Sequence, residues 1–253
     1  RQNMKNKRSH LWNSRLNNQA NEKNVLFCAG RDVQKLPMAD ELLLPFDIWT
    51  NRAHCIMLQK QGLITKENLR CIFKGLNKLE NLVKSGKFTL DPNKEDVHIN
   101  VESFVTENQG ADAGGRMHIG RSRNDQSACD MRLYLRSVGI QLFESVKKLA
   151  ITFLMQAEKH SESIMPGFTH YQPAMITTWG HLLCSYAQGL CRDLERITLA
   201  LSQINRNPLG SAAAFGTTWS IDRELTTKLM AFEKVDSNTL DCIVSRWENE
   251  AQL

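Results

Sequence analysis

The sequence predicts an all-α protein: a first region of short helices and loops, then long helices of a central bundle that this chain leaves incomplete. Three observations carry the prediction. Apolar residues recur at helical rather than strand spacing. Few helix breakers interrupt the stretch from Gln126 to about Ile164, where Gly139 is the only glycine. A second long run, from about Thr177 to Asn205, is rich in Leu, Ala and Ile. At 1.5 Å per residue the first run would span about 55 Å, well beyond the usual globular helix. Two long antiparallel helices have more apolar surface than they can bury against each other, so further helices must come from elsewhere. The division is placed at 118: residues 1–118 form a mainly helical domain, and residues 119–253 form the first part of the bundle.

The elements follow in order. The opening RQNMKNKRSH is basic, lacks the apolar run of a signal peptide, and reads as a disordered arm. In TKENLRCIFKGLNKLENLVKSG, the residues Leu69, Ile72, Phe73, Leu76, Leu79, Leu82 and Val83 make one buried stripe. Thr65 is a natural N-cap there and Gly86 a natural stop. FTLDPNKED reads as a loop broken by Pro92, and GADAGGRMHIG as flexible backbone before the first long helix. MPGFTHYQPAM ends that helix through Pro166, Gly167 and Pro173, and NPLGSAAAFGTTWS is a small-residue connector. IDRELTTKLMAFE and SNTLDCIVSRWENEAQL read as further helical pieces.

Composition narrows the function classes. The chain has 253 residues, 42% hydrophobic and 23% charged, with a net charge of +5, an ordinary soluble balance. No run of about 18 apolar residues occurs, which argues against a membrane span. Beyond the basic arm, Lys and Arg alternate with Glu and Asp along helices, so nucleic acid is not expected as a partner. A modest positive surplus suits an anionic small-molecule substrate. The seven cysteines are odd in number, widely spaced and never C-x-x-C. That argues against a zinc site or disulfide framework and for a reducing, cytoplasmic setting.

Three stretches carry candidate chemistry. In GRSRNDQSACDMRLYLR, from Gly120, a helix cap accounts for one polar residue, Asn124 or Asp125, but not for four. Arg121 and Arg123 bring planar donor forks, Ser122 and Asn124 neutral donors, and the helix start a positive dipole end. Together these describe a carboxylate cradle, to be weighed against a plain cap. In MPGFTHYQP, Thr169 and His170 are adjacent between two long helices, and histidine is the usual proton carrier near neutral pH. His98, in EDVHINVES, lies among acids that could orient it, or sits exposed on a helix. In NPLGSAAAFGTTWSIDRE, Ser211–Ala214 reads mainly as a tight connector, with Arg223 supplying charge to a site or pairing with an acid. His54, His118, His160 and His181 show no metal-ligand pattern and read as structural.

These three stretches, in this order, resemble argininosuccinate lyase, as do KEDVH and DIWTNRAHCIML further upstream. The resemblance runs from about Asp40 to Glu250, and RSRNDQ points to this family within the superfamily of fumarase, aspartase and the delta crystallins. It implies β-elimination of argininosuccinate to arginine and fumarate, with no cofactor or metal. It implies that Ser122, Arg123, Asn124, Thr169 and His98 bind substrate and that His170 is the catalytic histidine. It further implies a homotetramer whose active sites are shared between subunits. The chain departs from the family at Pro173 and Met175, and at Trp247. It also holds no matching glycine-serine-serine loop before Leu253, so it looks like the N-terminal half to three-fifths of such an enzyme, inactive alone. The alternatives are another fumarate-releasing lyase of the superfamily and a non-catalytic, crystallin-like assembly protein.

Overall fold

The computed structural model describes residues 22–28, 36–248 and 250–253. The basic arm lies outside the described residues. The chain forms two interleaved compact units, one of residues up to Tyr134 with Arg206–Ser245, the other of Leu135–Asn205 with Arg246–Leu253. The boundary at 118 expected from the sequence does not coincide with this division.

In the first unit, α2 (Leu44–Lys60), α3 (Lys66–Lys84) and α4 (Val97–Gln109) pack around one core. The stripe expected on α3 is there: Ile72, Leu76 and Leu79 are fully buried. Thr65 caps it, accepting the Asn68 N–H while the Asn68 side chain accepts from the Thr65 backbone. Gly86 follows the helix end with a positive φ of 66°. A short α1 (Glu22–Cys28) precedes these helices, and α5 (Ala111–Gly114) follows them.

The long helix α6 (Arg123–Lys159) has 37 residues and begins in this unit. Its first turns share a second cluster, Ala53, Cys129, Leu133, Leu209, Met230 and Phe232, with the end of the unit. There α8 (Arg223–Leu229) and α9 (Thr239–Val244) accompany two short parallel strands, β3 (Arg206–Asn207) and β4 (Lys234–Val235).

In the second unit α6 continues and α7 (Trp179–Ile204) returns antiparallel to it. Phe153 and Tyr186 meet at 5.6 Å between ring centroids, and Arg136 Nη1 donates to Asn205 Oδ1 at 3.1 Å. The helices approach closely at two glycines. A Cβ on Gly139 would lie 2.7 Å from Leu201, and one on Gly180 would lie 2.4 Å from the Ala157 carbonyl. A mid-helix glycine, costly in itself, thus permits the approach.

The segment MPGFTHYQPAM is not a plain loop. It is an antiparallel hairpin, β1 (Ile164–Thr169) and β2 (Gln172–Thr178), bulged at Gly167/Phe168. The all-α expectation therefore holds for the architecture but not for this insertion. Neither strand buries any residue fully, so no apolar-in, polar-out pattern marks them in the sequence.

Candidate functional site

The candidate residues fall into two groups, one in each unit. In the first unit, α2 presents Asp47, Thr50, Asn51 and His54 on one face, spaced as one helical stripe and all buried. Asp47 lies at the centre. Its Oδ1 accepts from His98 Nδ1 at 2.7 Å and from Gln126 Nε2 at 2.7 Å, and its Oδ2 accepts from Asn51 Nδ2 at 2.7 Å. Asp130, one turn beyond Gln126 on α6, accepts from Thr50 Oγ1 at 2.6 Å. Its other oxygen lies 3.6 Å from His98 Nδ1. Burial pushes the Asp47 carboxyl up, but the hydrogen bond and charge of His98 outweigh it and hold the group low. Burial, and then the charge of Asp47, push Asp130 well above the carboxylate range.

His98 is on α4 and buried, so the alternative of an exposed helix-face histidine is overturned. Asp96 caps α4, its Oδ1 accepting the Ile99 N–H, and its Oδ2 pairs with Arg123 Nη1 at 2.5 Å. Arg123 also borders an open cavity of about 290 Å³ lined by Glu102, Ser103, Thr106 and Glu107.

The Gly120–Gln126 turn divides its labour. Asp125 is a structural anchor: Oδ1 accepts the Ser122 N–H, and Oδ2 accepts the Gly210 and Ala212 N–H groups at 2.9 Å each. Ser122 Oγ accepts the Asn124 N–H at 3.3 Å. Asn124 is half-buried, and its amide donates to the Ala213 carbonyl at 3.2 Å. Arg121 is buried, bonded to Asn51 Oδ1 and the Met117 carbonyl. The structure thus brings Ser122, Arg123, Asn124 and His98 into one unit and gives the capping work to Asp125 and Ser122. The small-residue stretch is a connector, as expected. Arg223 ties it down, donating to the Leu209 and Asp236 carbonyls and to Ser211 Oγ.

His54 is structural, with its Nε2 at 2.8 Å from the Ile119 carbonyl. Burial pushes its pKa well down, as burial and then the charge of Arg121 push His118 to about 4. Burial also drives the Cys55 thiol up to about 12 and Cys242 up to about 11, so neither is a thiolate near neutrality.

Thr169 and His170 belong to the second unit, at the exposed hairpin tip. His170 and Tyr171 are the central turn residues, with φ of 49° and 62°. A two-residue turn with both φ positive usually takes Asn-Gly, so this pair is strained by about 1 kcal/mol or more per residue. Met175, a departure from the family pattern, is 77% exposed on β2.

Sequence reasoning missed Asp47, Thr50, Gln126 and Asp130. The available signal was a single acid in an otherwise apolar stretch, Asp47 between Phe46 and Ile48 and Asp130 between Cys129 and Met131. Among the described residues, Asp47, His98 and Asp130 are also a trio whose ligand atoms lie within 4.8 Å of one another. A 2.7 Å separation of Nδ1 from Oδ1 is a hydrogen-bond distance. Two ligands on one tetrahedral zinc would stand about 3.3 Å apart, so this donor set fits a proton better than a metal ion.

Comparison with known proteins now places the chain. A family model described as "Lyase" matches residues 35–246. The chain belongs to the lyase family. Among curated members, it is 42% identical over 207 residues to the argininosuccinate lyase of Ruthia magnifica, covering 82% of this chain and 43% of that protein. The argininosuccinate lyase of Pseudomonas syringae pv. tomato is also 42% identical, with 82% and 44% covered. The chain therefore spans less than half the length of these relatives, and the resemblance read from its motifs is borne out. Among solved structures, EDDS lyase in complex with formate superposes with a TM-score of 0.75 at 28% identity, covering 93% of this chain and 46% of that one. A fumarate lyase/delta crystallin from Brucella melitensis, bound to cobalt, shares the fold at a TM-score of 0.68 and 16% identity, with 85% and 53% covered.

Proposed function

We propose that the chain is part of an argininosuccinate lyase, which splits argininosuccinate into arginine and fumarate in cytoplasmic arginine biosynthesis, without metal or cofactor. The observation that carries this reading is the 42% identity to argininosuccinate lyases over 207 residues. A base takes the proton from the carbon next to a carboxylate, giving an aci-carboxylate of higher negative charge. The carbon–nitrogen bond then breaks, the guanidino nitrogen leaves with a proton as arginine, and the double bond of fumarate forms. Donors fixed before the reaction stabilise that charge best. Ser122, Arg123 and Asn124 stand at the start of α6, where the helix dipole adds positive potential. His170 carries a proton, and Thr169 and His98 contact substrate.

The assembly proposed is a homotetramer in which Asn124 and Thr169 of one active site come from different subunits. Exposed apolar residues along the long helices support it, among them Ile140, Leu149, Ile151, Leu154, Met155 and Leu199. Light scattering that showed a stable monomer of the 253-residue polypeptide would count against it.

The test of function is fumarate release from argininosuccinate. A full-length version is expected to turn over, and His170→Asn to lower kcat far more than it raises KM. The 253-residue polypeptide on its own is expected to show no substantial turnover, because no matching loop serine precedes Leu253. Robust turnover by it, or normal turnover by His170→Asn, would overturn these assignments. The 28% identity to EDDS lyase keeps a second fumarate-releasing substrate as the alternative, separated by a substrate panel.

A further inference from the structure

We propose that Asp47 and Asp130 share a single proton, and that the resulting single negative charge positions His98 with its ring proton on Nδ1 and Nε2 facing away from the pair. The significance of His98 rests on the functional reading above; the protonation of the pair does not.

The argument is one of donors and acceptors. Asp47 is fully buried and has three N–H donors, from His98, Gln126 and Asn51, so it is complete as a carboxylate. Asp130 is equally buried, but only its Oδ1 receives a donor, the Thr50 hydroxyl. Its Oδ2 has no hydrogen-bond partner as an acceptor. A buried carboxylate oxygen with no donor, beside a second carboxylate, costs several kcal/mol. A proton on Oδ2 removes both difficulties by making it a donor toward Asp47, whose Oδ1 lies 2.7 Å from the same His98 Nδ1 that Oδ2 approaches at 3.6 Å, all within a 4.8 Å cluster. Like charges this close do not both ionise. The upward push on Asp130 and the downward one on Asp47 agree with that division.

The consequence falls on His98. Nδ1 faces the pair, 2.7 Å from Asp47 Oδ1 and 3.6 Å from Asp130 Oδ2, so the charge on Asp47 anchors the ring proton there and turns Nε2 away from the pair. Around the pair, Asp40, Asp96 and Glu102 add negative potential, and Arg121 and Arg123 add positive potential. His118, held neutral near pH 7, adds none. Asp47 and Asp130 thus act as positioning residues for His98.

The decisive variant is Asp130→Asn. Its amide copies the protonated acid: the oxygen accepts from Thr50 and the nitrogen donates to Asp47. We expect the full chain carrying it to keep the His98 Nδ1–H tautomer, read by side-chain nitrogen NMR; loss of that tautomer overturns the proposal. Carboxyl-carbon NMR at pH 7 should show one protonated buried aspartate in the parent, a signal that Asp130→Asn abolishes. Two ionised carboxylates in the parent overturn the proposal, and this reading stands even if Asp130→Asn does not fold. None of these readouts needs turnover, so their failure and a failure to release fumarate are distinguishable.

Discussion

The first unit buries a connected set of polar residues; the second carries Thr169 and His170 on an exposed, strained hairpin. Asp47, His98, Gln126, Thr50 and Asp130 form one connected set of hydrogen bonds. At the hairpin tip, Tyr171 is 97% exposed and two consecutive residues hold positive φ. A buried polar set is rigid because each member has its partner, whereas an exposed, strained tip has nothing in its own unit to explain its side chains. The difference teaches that the first unit is built to hold groups still, whereas the tip residues stand exposed on their own unit.

The sharpest way to break the first half of that comparison is Asp125→Ala. It strands the N–H groups of Ser122, Gly210 and Ala212. Unsatisfied buried donors cost about 1–3 kcal/mol each, and not every one will stay dry, so a loss of about 3 kcal/mol is expected. For a chain of this size that lowers Tm by roughly 6–12 °C. A melting temperature within about 2 °C of the parent would show that the turn does not depend on this carboxylate.

Asn124→Ala, one residue away, should behave in the opposite way. The side-chain bond to the Ala213 carbonyl is worth about 1 kcal/mol or less. In a full-length lyase, the loss of one preorganised donor should cost on the order of 10²-fold in turnover. Intact turnover with a sharp fall in Tm would make Asn124 a helix cap and no more.

These contrasts explain how much was legible in the sequence. The stripe and cap of α3 could be read because its apolar stripe faces the core, and the extents of α6 and α7 because glycine and proline breakers flank long runs that hold few of them. Helix α2 could not, because its face bearing Asp47, Thr50, Asn51 and His54 is polar and buried. Periodicity equates polar with exposed, and a buried polar face cancels that signal. The hairpin failed for the converse reason, having apolar residues such as Ile164, Met175 and Ile176 on exposed strands. The candidate site was legible through its motifs, not through periodicity. Motifs named Ser122, Arg123, Asn124 and His98, but they could not show that Asp125 would take the anchoring role or that Asp47 would hold His98.

A subtler test reaches the same unit through pH. His118 has a folded pKa of about 4 against an ordinary 6.5, lowered first by burial and then by Arg121. Below pH 6.5 the unfolded chain takes up a proton that the folded chain refuses. The stability this residue contributes is therefore full above about pH 6.5 and is lost as pH falls toward 4. His54 acts in the same sense and is retained in the variant. His118→Gln should thus track the parent at a constant offset above pH 6.5 and lose less stability than the parent below it. Denaturant unfolding at pH 7.5 and pH 5 measures the difference, and parallel losses would place His118 in water.

The smallest effect expected is at the hairpin tip. Tyr171 holds a φ of 62° with its side chain 97% exposed, so its ring contributes no packing that would offset the backbone cost. Asparagine occupies this left-handed region several-fold more readily than most residues, and it keeps the unfolded chain less free than glycine would. Tyr171→Asn should therefore raise stability by about 0.5–1 kcal/mol, or roughly 1–4 °C in Tm. The strands β1 and β2 should keep their register, because Thr169 still faces Gln172 across the turn. The measurement is calorimetry on parent and variant at one concentration, since an associating chain melts at a concentration-dependent temperature. A fall in Tm that grows with protein concentration would show that Tyr171 contributes to association, so that its strain is retained for a contact between chains. A fall independent of concentration would show that the tip is not strained at all.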